Sequence, residues 1–141
     1  MSPSVVVVEV AAPAEAAYAY LAEPRNRPRW QSSLRRVEEV QGHGEEGSQW
    51  YDVTAVGARP LMRVTEASPP GRWAETGTWR GVAADLTLDF LPQGDHTRLV
   101  ATFEVRTPGP LAPLGWVLNR LAPLGVRGDL KRAARLIEQE A

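Results

Sequence analysis

Apolar and polar residues alternate along most of the chain, which is typical of β-strands that bury one face. At residues 98–106, for example, Leu99 and Phe103 fall on one face and Thr102 and Glu104 on the other. Glycine, proline and polar turn residues separate seven such segments. We predict strands at residues 5–10, 34–41, 49–56, 61–67, 72–79, 82–91 and 98–106.

Two segments between the first and second strands lack this alternation and predict short helices. Residues 14–21 follow a proline, which suits the first turn of a helix, and Pro24 ends the segment. Residues 25–31 contain Pro28 and Trp30, and we expect a helical turn or a loop there.

The apolar period becomes helical after the Pro-Gly-Pro turn at residues 108–110. Leu130, Ala134 and Ile137 belong to a stripe that continues almost to the C-terminus, so we predict one long amphipathic helix. Pro123 has no backbone donor, and we expect it to kink or split this helix.

These elements together predict an α+β architecture in a single domain, residues 1–141. An antiparallel sheet with one apolar face needs a cover, and the C-terminal helix is the only predicted element large enough to supply it. We therefore expect a seven-stranded, curved antiparallel sheet around the long helix, with two short helices between strands 1 and 2. Such an arrangement leaves a hollow where the sheet and the helix do not meet.

Composition narrows the function classes. The chain has 141 residues, and its 16 basic and 17 acidic residues give a formal net charge of −1, which argues against nucleic acid as a partner. It has no cysteine, so thiol chemistry and disulfides are excluded. The first apolar run, residues 5–8, is too short for a signal peptide or a membrane helix. We expect a cytoplasmic protein without stable membrane insertion, as a monomer or homodimer.

Four segments carry a resemblance to a known superfamily: residues 8–21, 28–31, 64–72 and 91–99. They are similar to the first strand and helix, the Trp-bearing second helix, the strand-to-Pro-Pro turn and a hairpin of the helix-grip (SRPBCC) superfamily. That superfamily includes START lipid-transfer domains and bacterial polyketide cyclase/dehydrase-like proteins. The resemblance implies the fold over nearly the whole chain. It implies no single activity, because the superfamily includes lipid carriers, aromatase/cyclases and dehydratases.

The candidate ligand-binding residues are large apolar and aromatic side chains that the predicted pattern directs inward. The five tryptophans are prominent among them, because an indole ring fills a core or stacks on a flat ligand equally well. The predicted lining is Tyr18, Trp30, Trp50, Met62, Trp73, Leu88, Phe90, Phe103, Trp116, Leu118 and Leu121.

Two carboxylates, Asp52 and Glu75, are the candidate catalytic residues. Glu75 shares strand parity with Trp73, and Asp52 shares it with Trp50, although parity alone does not decide which set points inward. A buried carboxylate without a cation has a raised pKa and can act as a general acid or base. The alternative is that each carboxylate points outward or pairs with an arginine such as Arg63 or Arg80.

Other chemistry finds little support in the sequence. His43 and His96 fall in predicted loops without converging partners, so we interpret both as solvated and predict no metal site. There is no phosphate-binding loop, and we expect no cofactor. The favoured function is binding of a hydrophobic small molecule, a lipid, polyketide or aromatic compound. The alternative is a polyketide cyclase, aromatase or dehydratase that uses an inward-facing carboxylate as general acid or base.

Overall fold

The computed structural model describes residues 3–140, and within the last helix it describes residues 112–123 by their backbone alone. The elements run in the following order: β1 (Ser4–Val10), α1 (Ala14–Ala22), a 3₁₀ turn (Pro24–Asn26), α2 (Arg27–Trp30), β2 (Leu34–Gln41), β3 (Gln49–Thr54), β4 (Leu61–Ser68), β5 (Arg72–Trp79), β6 (Val82–Gln93), β7 (His96–Arg106), a second 3₁₀ turn (Gly109–Leu111) and α3 (Ala112–Glu140).

Within the described residues, the seven strands form one curved antiparallel sheet in the order β1-β7-β6-β5-β4-β3-β2. Neighbours in sequence are neighbours in the sheet from β2 to β7, and β1 closes the order by pairing with β7. Tight turns explain this meander. Arg80 and Gly81, at φ 49° and 83°, connect β5 to β6 in the left-handed conformation that two-residue hairpins favour. The predicted fold class is confirmed.

The C-terminal part of α3 covers the sheet as its apolar stripe predicts. Leu130, Ala133, Ala134 and Ile137 are buried at the spacing of one helix face, and α3 packs against β1 and β7. Asp129 anchors this helix to the loop after α2, because its Oδ1 accepts hydrogen bonds from the backbone N–H and Oγ of Ser32 at 3.1 and 2.9 Å.

The structure differs from two expectations about element boundaries, the split in α3 and the end of β3, whereas a kink at Pro123 stays a prediction. α3 is continuous from Ala112 to Glu140, so Pro123 does not split it. A proline within a helix removes one backbone hydrogen bond, and the turns on either side continue here without it. Strand β3 ends at Thr54 instead of residue 56, because the Thr54 hydroxyl donates to the carbonyl of Ala58 at 2.7 Å and closes a turn. No helix among residues 3–140 has the length and apolar character needed to cross a membrane.

Candidate functional site

An arginine that the sequence patterns did not single out lies at the centre of the site. Arg27 is the first residue of α2, and only 2% of it is exposed. Its guanidinium carbon lies 5.1 Å from the ring centroid of Trp50 and 5.6 Å from that of Trp30. These contacts are cation–π interactions that help to hold a buried cation. The spacing of three residues between Arg27 and Trp30 was the available signal, since it places both on one side of a helical turn.

Both candidate carboxylates point inward and meet this arginine. Arg27 Nη1 donates to Glu75 Oε1 at 2.7 Å, and Arg27 Nη2 donates to Asp52 Oδ2 at 3.3 Å. Trp50 Nε1 donates to the other oxygen of Asp52 at 2.8 Å. The strand parity that sequence alone left open is thereby decided. We call Arg27, Asp52 and Glu75 the buried ion cluster.

The carboxylates pair with an arginine, as the alternative expectation has it, but that arginine is Arg27 and not Arg63 or Arg80. Arg63 is exposed on β4, and the Arg80 guanidinium lies 4.7 Å from the ring centroid of Trp79. Neither reaches the inner face, because residues of the opposite parity point outward and Arg80 sits in a hairpin turn. Arg27 reaches it because α2 lies over the open side of the sheet.

Burial and charge act in opposite directions on Glu75. Removal from water raises the pKa of the Glu75 carboxyl and the nearby charge of Asp52 raises it further, while Arg27 lowers it; the net direction is upward. For Arg27, burial disfavours the charged form, but the charges of Glu75 and Asp52 outweigh it and raise the pKa of the guanidinium. The arginine is therefore a permanent cation, and Glu75 is the group that can take up a proton.

The buried ion cluster borders a cavity of about 450 Å³ between the sheet, α2 and α3. Apolar side chains supply most of its wall, and Asp52 and Glu75 lie in that wall beside them. Gly77 gives it depth, since a Cβ there would lie 2.6 Å from the sulfur of Met62. The lining is Arg27, Gln31, Asp52, Ala58, Pro60, Met62, Glu75, Gly77, Trp79, Val82, Ala84, Asp85, Leu86, Phe103, Glu104, Val105 and Val126.

The predicted ligand-binding residues divide into three groups. The first group lies at the site: Met62 and Phe103 line the cavity, and Trp30 and Trp50 contact Arg27. Another group packs into the core and does not belong to the cavity wall: Tyr18, Trp73, Leu88 and Phe90. The last three, Trp116, Leu118 and Leu121, have side chains outside the described residues.

The core group is held by its own contacts. The rings of Tyr18 and Phe90 lie 5.2 Å apart between centroids, and Trp73 Nε1 donates to the carbonyl of Gly44 at 3.0 Å. Tyr18 also lines a separate surface depression with His43 and Pro69. These four residues therefore stabilise the part of the protein next to the cavity.

The two histidines are exposed, in agreement with the interpretation of them as solvated side chains. His43 Nδ1 lies 2.8 Å from Glu23 Oε1 while 74% of its side chain is exposed. His96 is the first residue of β7 instead of a loop residue, and its Nδ1 lies 3.2 Å from Asp95 Oδ1. Neither borders the cavity.

A curved antiparallel sheet, a long C-terminal helix against its inner face and a cavity between them define a protein of the helix-grip class. The family described as polyketide cyclase / dehydrase and lipid transport matches residues 3–141. The chain therefore belongs to this family.

Solved structures agree with that membership. The chain is similar to the Zhui aromatase/cyclase from a Streptomyces species, with 17% identity, a TM-score of 0.78 and coverage of 97% of this chain and 93% of that one. A START superfamily protein from Mycobacterium smegmatis gives 17% identity and a TM-score of 0.75 over 100% of both chains. A protein of Thermus thermophilus gives 20% identity and a TM-score of 0.78 over 99% of both. At these identities the likeness shows a shared fold. None of the curated proteins matches this chain.

Proposed function

We propose that the protein binds a hydrophobic small molecule, a lipid, polyketide or aromatic compound, in the cavity between the sheet and α3. One observation carries this proposal: the cavity of about 450 Å³ has a mostly apolar wall, and other protein groups cover that wall only in part. Volumes of this order are typical of small-molecule sites. Leu86, Val105 and Val126 line the space and are only half-buried. A bound apolar molecule would remove this surface from water, which is favourable.

The polarity of the wall supports the same proposal. Apolar side chains dominate it, and the polar groups converge at one place, the buried ion cluster. Sites for small organic molecules combine an apolar lining with a few fixed polar groups that set the orientation of the ligand. The name of the Zhui aromatase/cyclase and the lipid transport in the family description fit ligands of this kind.

The test is native mass spectrometry of the purified protein, searched for a co-purified hydrophobic molecule, followed by titration with 2-acetylnaphthalene. Binding should change the fluorescence of Trp79, which lines the cavity. Ala84→Leu, at the rim of the cavity, should weaken the binding at least about tenfold, since bulk there occupies the ligand's space. Ala83→Leu is the matched control, because its side chain lies on the other face of the same strand. Equal weakening in both variants, or none in either, would contradict the proposed site.

A second candidate function is catalysis by Glu75, as in a cyclase, aromatase or dehydratase. It is favoured by one observation: Glu75 Oε2 is buried and has no hydrogen-bond partner within the described part of the chain, while Glu75 borders the cavity. A neutral carboxyl there can give a proton to a substrate oxygen and later take one back. Cyclisation and dehydration of 1-phenylhexane-1,5-dione to 3-phenylcyclohex-2-enone, followed by absorbance, is the test.

In that assay Glu75→Gln should abolish turnover and leave binding of the diketone within about twofold, because the amide keeps the shape of the carboxyl but gives up no proton. Asp52→Asn should lower turnover less. Unchanged turnover in Glu75→Gln would contradict a catalytic role and leave the binding function standing. Location in the cytoplasm and a monomeric or homodimeric state stay predictions.

A further inference from the structure

The buried ion cluster contains one more negative group than positive groups. Arg27, Asp52 and Glu75 are 2%, 4% and 2% exposed, respectively. The other buried polar residues in the described part of the chain, Ser48 and Thr97, carry no charge. An unpaired buried charge is costly, and a carboxylate escapes that cost by taking up a proton. One guanidinium offsets one carboxylate, so the second one needs a proton.

Hydrogen bonding shows which oxygen can carry that proton. Both oxygens of Asp52 accept hydrogen bonds, Oδ1 from Trp50 Nε1 and Oδ2 from Arg27 Nη2. Glu75 Oε1 accepts from Arg27 Nη1, whereas Glu75 Oε2 has no partner among the side chains that the structure describes. A proton on either oxygen of Asp52 would compete with the hydrogen bond that this oxygen accepts from Trp50 or Arg27. A proton on Glu75 Oε2 disturbs none of these contacts.

We propose that Glu75 carries a proton on Oε2 within the buried ion cluster, and that this neutral carboxyl donates a hydrogen bond to an acceptor oxygen of the molecule in the cavity. The inference rests on the proposed binding function and adds a ligand class to it. The ligand is a hydrophobic molecule with a carbonyl or ether oxygen placed to reach Glu75. A pure hydrocarbon would leave the carboxyl unpaired, which costs affinity.

Arg27 and Asp52 act in this site as positioning residues. Arg27 binds Oε1 and so turns Oε2 away from itself, and Asp52 keeps the guanidinium from neutralising Glu75 alone. Gln31 provides a second polar position, since its Oε1 is buried without a partner among the described residues and the residue borders the cavity.

The proposal makes binding depend on pH. Burial raises the pKa of Glu75, and loss of its proton above that pKa removes the donor. The groups that face Glu75 are Arg27 from α2 and Asp52 from β3. Among the residues with described side chains, the other charged ones bordering the cavity are Glu104 on β7 and Asp85 on β6, and Asp85 is held by Arg106 and Thr76. The Arg106 hydrogen bond keeps the pKa of Asp85 low, so Asp85 does not compete for this proton.

The experiment compares two probes of nearly the same shape, 2-acetylnaphthalene and 2-isopropenylnaphthalene, which differ by a carbonyl oxygen in place of a methylene group. Affinities are measured by calorimetry from pH 6 to pH 9. The wild-type protein should prefer the ketone about tenfold at low pH, the ratio expected for one hydrogen bond in a dry site. The preference should fall as the pH rises.

Two variants separate the role of the proton from that of shape. Glu75→Leu should bind both probes equally, and it should fold because Arg27 keeps Asp52 as its partner. Glu75→Gln keeps an N–H donor, so it should retain the preference but lose its dependence on pH. Equal affinity of the wild-type protein for the two probes, or an undiminished preference in Glu75→Leu, would overturn the inference and leave the binding function intact.

A readout without ligand completes the test. The infrared carbonyl band of a neutral carboxyl should be present at pH 7 and absent from Glu75→Gln. If the band is absent from the wild-type protein, the proposed proton on Glu75 is contradicted directly. Failure of both probes to bind while the band is present would contradict the proposed binding function and not the protonation state.

Discussion

The inner face of the sheet has two halves that differ in how completely they are filled. The closed half holds Trp73, Leu88, Phe90 and Leu99, all 2% exposed or less, beneath α1 and the C-terminal part of α3. The open half is the cavity wall, where smaller and half-buried residues leave about 450 Å³ empty. Strand β5 passes from one half to the other within two residues, from Trp73 to Glu75.

The difference lies in side-chain volume more than in backbone geometry. Gly77 stands opposite Ala84 in the register of β5 and β6, whereas Trp73 stands opposite Leu88. Two small residues facing each other cannot fill the space that an indole and a leucine fill. The closed half therefore supplies packing energy, and the open half gives up packing for a site. The following changes would break or sharpen this contrast.

Removal of the buried cation should have the largest effect. Arg27→Met leaves Asp52 and Glu75 without a counter-charge, and we expect it to lower the free energy of unfolding by about 3–5 kcal/mol. Denaturant unfolding at pH 7 measures it. Adding Asp52→Asn and Glu75→Gln to Arg27→Met should recover most of that loss. If Arg27→Met alone loses less than about 1 kcal/mol, Arg27 does not neutralise buried carboxylate charge as described above.

Two leucines on β6 test the two halves directly. Leu88 is fully buried in the closed half, and Leu86, two residues away on the same face, lines the cavity. Leu88→Ala should cost about 2–5 kcal/mol, because it opens a void in a filled core. Leu86→Ala should cost less than about half as much, because its side chain already borders empty space. Equal costs by denaturant unfolding would refute the division into halves.

Stability should depend on pH through Glu75. Because its pKa is raised in the folded state, the folded protein holds a proton that the unfolded chain loses above the ordinary value of 4.5. This contribution is complete below that value and declines as the pH rises toward the folded pKa, by about 1.4 kcal/mol per pH unit. Between pH 5 and pH 8 the wild-type protein should therefore lose unfolding free energy relative to Glu75→Gln, measured by denaturant unfolding. Parallel curves would contradict the raised pKa.

Gly77→Ala should have the smallest effect on stability and a clear one on binding. Gly77 does not have a positive φ angle, so an alanine fits the strand. The alanine Cβ must displace the flexible end of Met62, which lines the cavity. We expect a loss of less than about 1 kcal/mol, because only a mobile thioether moves. Affinity for 2-acetylnaphthalene should fall severalfold. Stronger binding in this variant would show that Met62 does not limit the cavity.

Four of the residues that line the cavity were predicted from the sequence, Asp52, Met62, Glu75 and Phe103, but the central residue Arg27 was not. Asp52 and Glu75 were identified from their parity with Trp50 and Trp73, since side chains two apart on a strand share a face. Arg27 was missed because its short, proline-containing segment does not show from the sequence which side chains point inward. Trp73, Leu88 and Phe90 were expected at the cavity, yet they fill the core, since inward direction does not distinguish a filled space from an empty one.

The sequence by itself determined the strands and the long helix, because hydrophobic periodicity is a local property of neighbouring residues. For β3 and β5 it left the inward face open, and the tertiary structure decided it. Only the tertiary structure decided where the hollow lies and which charges share it. Arg27 meets Asp52 and Glu75 across 25 and 48 positions of the chain, and such contacts depend on the curvature of the sheet and the placement of α2. The raised pKa of Glu75 follows from that burial, which no local pattern of residues encodes.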